Sequence, residues 1–186
     1  MRKIPIVVVT YNRAESLKRI LVSLAKARYD IEVELIISID GGGDHGVVKM
    51  ANEYNWSHGK KRIIIREKNL GLREHMIRCG DIALENDGVV ILEDDLYVSP
   101  VFYSFVEQAL NFYEQDENIG GFSLYAHQFN ETAQFPFLQI SDNSDIFFLQ
   151  YASSWGQFYT KKQWIGFREW YNENKDMKLN EDYGMP

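Results

Sequence analysis

Glu93, Asp94 and Asp95 stand in a row behind an uncharged run, Gly88-Val89-Val90-Ile91-Leu92. Three carboxylates so close repel one another, which raises the pKa of at least one unless a cation neutralises them. Mn²⁺ or Mg²⁺ is the natural partner, since both are hard ions that take oxygen ligands and share the phosphate oxygens of a substrate. The run in front is mostly β-branched, as suits a strand buried on both faces of a parallel sheet. Its C-terminal end is then the edge at which open α/β sheets bind ligands. A solvated acidic loop is the plain alternative, and the buried strand in front favours a site.

Three more segments reach the same edge if strands and helices alternate. Residues 6–10 read as a buried strand running into Tyr11-Asn12-Arg13, with Asn12 expected to cap a helix and Glu15 three residues on. Leu17, Ile20, Leu21 and Leu24 share one face of that helix. Residues 34–40 read as a second strand ended by Gly41-Gly42-Gly43, and Val47, Val48, Ala51 and Tyr54 mark the helix after it. Residues 63–65 form a short third strand closed by Asn69-Leu70-Gly71, before a helix over 72–84 that turns Met76, Cys79 and Ala83 inward. Ser99 and Pro100 suit the cap and first position of a helix carrying Phe105, Val106, Ala109 and Leu110. Such alternation predicts a mostly parallel sheet with helices on both faces.

Beyond residue 118 the regular alternation stops and the chain turns aromatic. Short strands are expected at 121–125, 146–150 and 157–160, then a helix over 161–171. Most of these aromatics read as core filling. An exposed Trp also stacks well on the C–H face of a sugar, and Trp155 is singled out because Ser153, Ser154 and Gly156 leave room around it.

Composition narrows the class. A chain of 186 residues with 45% hydrophobic content suits one domain with a proper core. A net charge of −7 with no basic cluster argues against a nucleic-acid partner. The single Cys79 cannot form an internal disulfide, which fits a reducing compartment, and it reads as a small buried residue. No run has the length of a membrane helix, so the expectation is a soluble, cytoplasmic chain.

Taken in order, these loops resemble the nucleotide-sugar site of GT-A glycosyltransferases. The pattern is similar to the N-acetylglucosaminyltransferase I group and to bacterial surface-polysaccharide transferases. The matching residues are Pro5, Asn12 and Arg13, then Asp40 and Gly41, then the DXD-like Glu93, Asp94 and Asp95 ahead of Pro100, Phe102 and Tyr103. The likeness covers 4–106 well and 119–171 loosely. It implies one GT-A-like domain over 1–186, with a nucleotide-sugar half at 1–118 and a partial acceptor half at 119–186. The final residues do not read as a natural domain end, so a truncated chain is expected.

The resemblance also implies roles. Thr10, Tyr11 and Asn12 would pack on a uracil base and Asp40 would accept its imide N–H, with Asn69 and Gly71 in the neighbouring loop of the donor site. Arg13 and Arg73 would face the diphosphate, with His75 and Arg78 as further candidates in the same helix as Arg73. Asp95 would be the direct ligand of Mn²⁺ or Mg²⁺, Asp94 would contact the donor sugar, and Glu93 the ribose or a group behind it. The reaction implied is inverting transfer from a UDP-sugar to a glycan or glycolipid in polysaccharide biosynthesis, with peripheral association with the inner membrane also open. Inversion needs a carboxylate base beside the acceptor; Glu169 and Asp182 are the candidates, and no aligned motif decides between them. Two rival readings remain. One is a nucleotide-sugar-binding domain that transfers nothing. The other is a sugar nucleotidyltransferase, disfavoured because 10–14 lacks the glycines of a phosphate loop.

Overall fold

A computed structural model describes residues 2–130, 133–139, 143–151 and 153–177. Four parallel strands form its centre: β1 (Ile6–Thr10), β2 (Leu35–Ile39), β3 (Lys61–Ile65) and β4 (Gly88–Glu93). Two later strands, β5 (Phe122–Ser123) and β8 (Gln157–Thr160), extend the sheet beyond β4. The order is β3-β2-β1-β4-β8-β5, with β8 antiparallel to both β4 and β5. A small separate hairpin pairs β6 (Phe129–Asn130) with β7 (Phe135–Pro136).

Side chains alternate across the strands, so each face builds its own core. Ile6, Val8, Leu35, Ile37, Val90 and Leu92 pack on one side against α1 (Ala14–Ala25), α2 (His45–Glu53) and α4 (Phe102–Tyr113). Val7, Val9, Ile36, Val89 and Ile91 pack on the other against α3 (Gly71–Gly80), a 3-10 turn at Asp81–Glu85, and α5 (Lys161–Asn174). The expected doubly covered parallel sheet is present.

Local differences have local causes. Helix α1 begins at Ala14, so Arg13 rather than Asn12 holds the cap position, with no side-chain cap hydrogen bond. Helix α4 begins at Phe102, because Ser99 makes a tight turn whose Oγ accepts from the Val101 amide instead of capping a helix that starts at Pro100. The helix expected over 72–84 tightens into the 3-10 turn after Gly80. That glycine lets Trp164 of α5 lie on the backbone: a Cβ there would sit 2.0 Å from the indole ring. Residues 146–150 form no strand, and their aromatics line a groove instead.

Candidate active site

The sheet order reverses between β1 and β4, and in open α/β sheets that crevice is where ligands bind. Val9 pairs with Glu93, so the next residues, Thr10 and Asp94, meet at its mouth. Thr10 Oγ1 donates to Asp94 Oδ2 at 2.7 Å, and both side chains are buried. Arg13, on the turn into α1, places one guanidinium nitrogen 2.5 Å from Asp94 Oδ1 and the other 2.9 Å from Asp95 Oδ2. Asp94 Oδ1 is buried, and its charge is met by Arg13. Burial raises the Asp94 pKa more than Thr10 and Arg13 lower it. Glu93 is also raised, first by burial and then by repulsion from Asp95.

Among the described residues no three acidic, His or Cys side chains converge on one point. An ion such as Mg²⁺ takes one or two carboxylates and completes its shell with water and substrate phosphate, and half-exposed Asp95 and Asp94 Oδ1 are the oxygens here that would hold one.

On the β2 side, Asp40 is buried and already engaged. Its Oδ1 accepts from the amides of Gly41 and Leu70, both at 2.9 Å, and its Oδ2 from Gly71 at 3.1 Å. The carboxylate thereby ties the loop after β2 to the loop after β3. Gly41 is required at this contact, since a Cβ would lie 2.2 Å from the Lys68 carbonyl carbon. Asn69 also accepts from the Gly71 amide, at 2.8 Å, and Gly71 holds φ +75°. A carboxylate has about four lone-pair sites, so the three bonds to Asp40 leave one for a ligand. Tyr11 lies above this loop, with its hydroxyl 3.4 Å from the Gly42 carbonyl.

The remaining candidates divide. Arg73 donates to the Lys175 carbonyl at 2.9 Å and covers the Tyr171 ring, which ties α3 to the end of α5. His75 is buried, not turned to the edge: its Nε2 lies 2.8 Å from Ser38 Oγ, and burial lowers its pKa. Arg78 pairs with Glu74. Glu169 is exposed on α5, whose packed residues are Trp164, Phe167 and Arg168. Asp182 lies outside the described residues.

Trp155 flanks the acidic cluster on the far side from Asp40. Gln157 pairs with Ile91, and Gly156 packs against Leu92, so Trp155 stands beside the end of β4. Around it lies an unanticipated aromatic wall, with Tyr125 edge-on at 4.9 Å and His127 stacked at 5.9 Å. A cavity of about 510 Å³ opens there and shares Tyr125, His127, Leu149, Tyr151 and Ser153 with an apolar groove of about 750 Å³ beside α4. The dense aromatics after residue 118 were its sequence signal. Their convergence depends on loop paths that spacing does not encode.

No curated protein matches the chain. Solved structures similar to it include S. aureus TarS, 19% identical over 60% of this chain and 20% of that one, TM-score 0.50. Another is the mannosyltransferase PcManGT from Pyrobaculum calidifontis in complex with GDP-Man and Mn²⁺, 16% identical over 66% of this chain and 35% of that one, TM-score 0.53. A third is an active-site mutant of LgtC, 16% identical over 96% of this chain and 67% of that one, TM-score 0.50. At such identities the likeness is one of fold, and the chain spans only a part of each. No helix among the described residues is long and apolar enough to cross a membrane. The model of glycosyl transferase family 2 matches residues 6–174, the whole doubly covered sheet with its helices, and the chain belongs to that family.

Proposed function

We propose that this chain binds a nucleotide-sugar donor, a UDP-sugar, and transfers its sugar with inversion to a hydroxyl of a glycan or glycolipid. The observation that carries the reading is the Thr10–Asp94–Arg13–Asp95 constellation at the point where the sheet order reverses. Asp40, Tyr11 and the loop around Asn69 and Gly71 form the base end, where the free lone pair of Asp40 accepts the uracil N3–H. Asn12 belongs to the same wall. Asp94 and Glu93 face the sugar and ribose, while Trp155 with Tyr125 and His127 receives the acceptor.

Asp95, with Asp94, would hold Mn²⁺ or Mg²⁺, which when bound would supply positive charge against the diphosphate leaving group. The acceptor oxygen bonds to the anomeric carbon as the bond to phosphate breaks. The electron pair leaves with the diphosphate, and the acceptor proton passes to a carboxylate base. Glu169 and Asp182 are the candidates for that base, and Asp182 lies outside the described residues.

A thermal-shift panel of nucleotide sugars with and without Mn²⁺ tests the reading. The expected result is metal-dependent stabilisation by UDP-sugars. Stabilisation by GDP-sugars instead redirects the donor, and no response to any nucleotide overturns the proposal.

A further inference from the structure

We infer that Arg13 is an internal counter-ion for the metal-binding carboxylates, so that divalent metal and nucleotide enter this site as a pair rather than one after the other. The inference rests on the donor-site reading above and adds an order of binding to it.

Arg13 reaches both Asp94 Oδ1 and Asp95 Oδ2. These are the oxygens assigned to a divalent ion. A guanidinium and a divalent cation on the same two carboxylates repel each other strongly at such range. Free metal therefore has to displace Arg13 with nothing to receive the arginine. A nucleoside diphosphate changes that, because its oxygens accept a guanidinium in bidentate, charge-assisted bonds. The residue is built for the exchange. Its side chain is 52% exposed against 1% for Asp94, so the arginine has room to swing while the aspartate stays fixed by Thr10. It stands at the cap position of α1, whose amino end also favours an anion.

The test is Mn²⁺ binding to the 186-residue chain, read by the electron paramagnetic resonance of free Mn²⁺, with and without UDP. The wild type is expected to bind Mn²⁺ alone weakly and at least about tenfold more tightly with UDP, with the same factor in UDP affinity when Mn²⁺ is varied. Arg13→Gln, which keeps a donor but no charge, is expected to bind Mn²⁺ alone about tenfold more tightly and to lose most of that coupling. Arg13→Lys keeps the charge and is expected to retain weak binding of free metal. Equal wild-type affinity with and without UDP overturns the inference without any variant, as does unchanged Mn²⁺ affinity in Arg13→Gln while Mn²⁺–UDP still binds. Failure of every form to bind Mn²⁺ even with UDP overturns the donor-site reading itself.

Discussion

Thr10 Oγ1 and Asp94 Oδ2 lie 2.7 Å apart across the point where the sheet order turns back on itself. A backbone relationship, the β1–β4 pairing, thus becomes a side-chain relationship that fixes one carboxylate of the cluster. Thr10→Val keeps the shape and removes the donor. A buried charged acceptor that loses such a bond costs about 1–3 kcal/mol. In a chain of this length the melting temperature is expected to fall about 2–4 °C per kcal/mol, while Thr10→Ser retains most of the stability. Equal melting of Val and wild type contradicts the role.

Asp94 itself is expected to weaken the fold at neutral pH. Burial raises its pKa above the ordinary 3.8. A carboxyl that holds its proton more tightly when folded favours folding at acid pH, and that contribution is lost as pH rises through the raised value. Asp94→Asn removes the buried charge and keeps an acceptor for Thr10. The variant is expected to be more stable than wild type at pH 7, by about 0.5–2 kcal/mol. The gap should close as pH falls toward 4. Donor binding is lost in exchange, and a less stable Asn variant at pH 7 contradicts the argument.

How much of this was legible in the chain follows from what each feature depends on. Strands, and the edge at which Thr10, Asp40 and Glu93 end, follow from uncharged runs and their alternation with amphipathic helices. Arg13 on two carboxylates 81 and 82 residues away does not, because a long side chain chooses its partner only after the sheet is assembled. Arg73 shows the same limit: the family resemblance implied a diphosphate contact, yet the end of α5 lies close enough to take it. Asn12 failed as a cap because the turn into α1 runs one residue longer than the motif suggests.

Asp40 is predicted to serve two purposes that separate experimentally. Removing the carboxylate in Asp40→Ala leaves the Gly41 and Leu70 amides without their acceptor and the Gly71 amide with Asn69 alone, and the expected loss is about 3 kcal/mol in urea unfolding. In the wild type, UDP is expected to bind more tightly than CDP, which lacks the imide donor, by about 1–3 kcal/mol. Equal affinity for the two nucleotides contradicts the base-reading role and leaves the loop-clamping role untouched.

Asp95 carries the metal assignment and little of the fold. Its side chain is 44% exposed and leaves the core intact when removed, so Asp95→Ala is expected to melt within about 0.5 kcal/mol of wild type. Mn²⁺-dependent UDP binding should disappear in isothermal titration. An unchanged Mn²⁺ response in this variant contradicts the assignment.

The base is the last assignment to test, and the candidates are Glu169, exposed on α5, and Asp182, which lies outside the described residues. A general base is usually worth about 10²–10⁴-fold in rate. One of Glu169→Gln and Asp182→Asn is expected to lower kcat by about that factor with Mn²⁺–UDP affinity unchanged, and the other to leave both unchanged. Steady-state transfer with a labelled UDP-sugar, alongside UDP titration, reads the two effects separately. Full turnover in both variants contradicts a base at either position, and a fall in Mn²⁺–UDP affinity in place of kcat moves that carboxylate to the donor site.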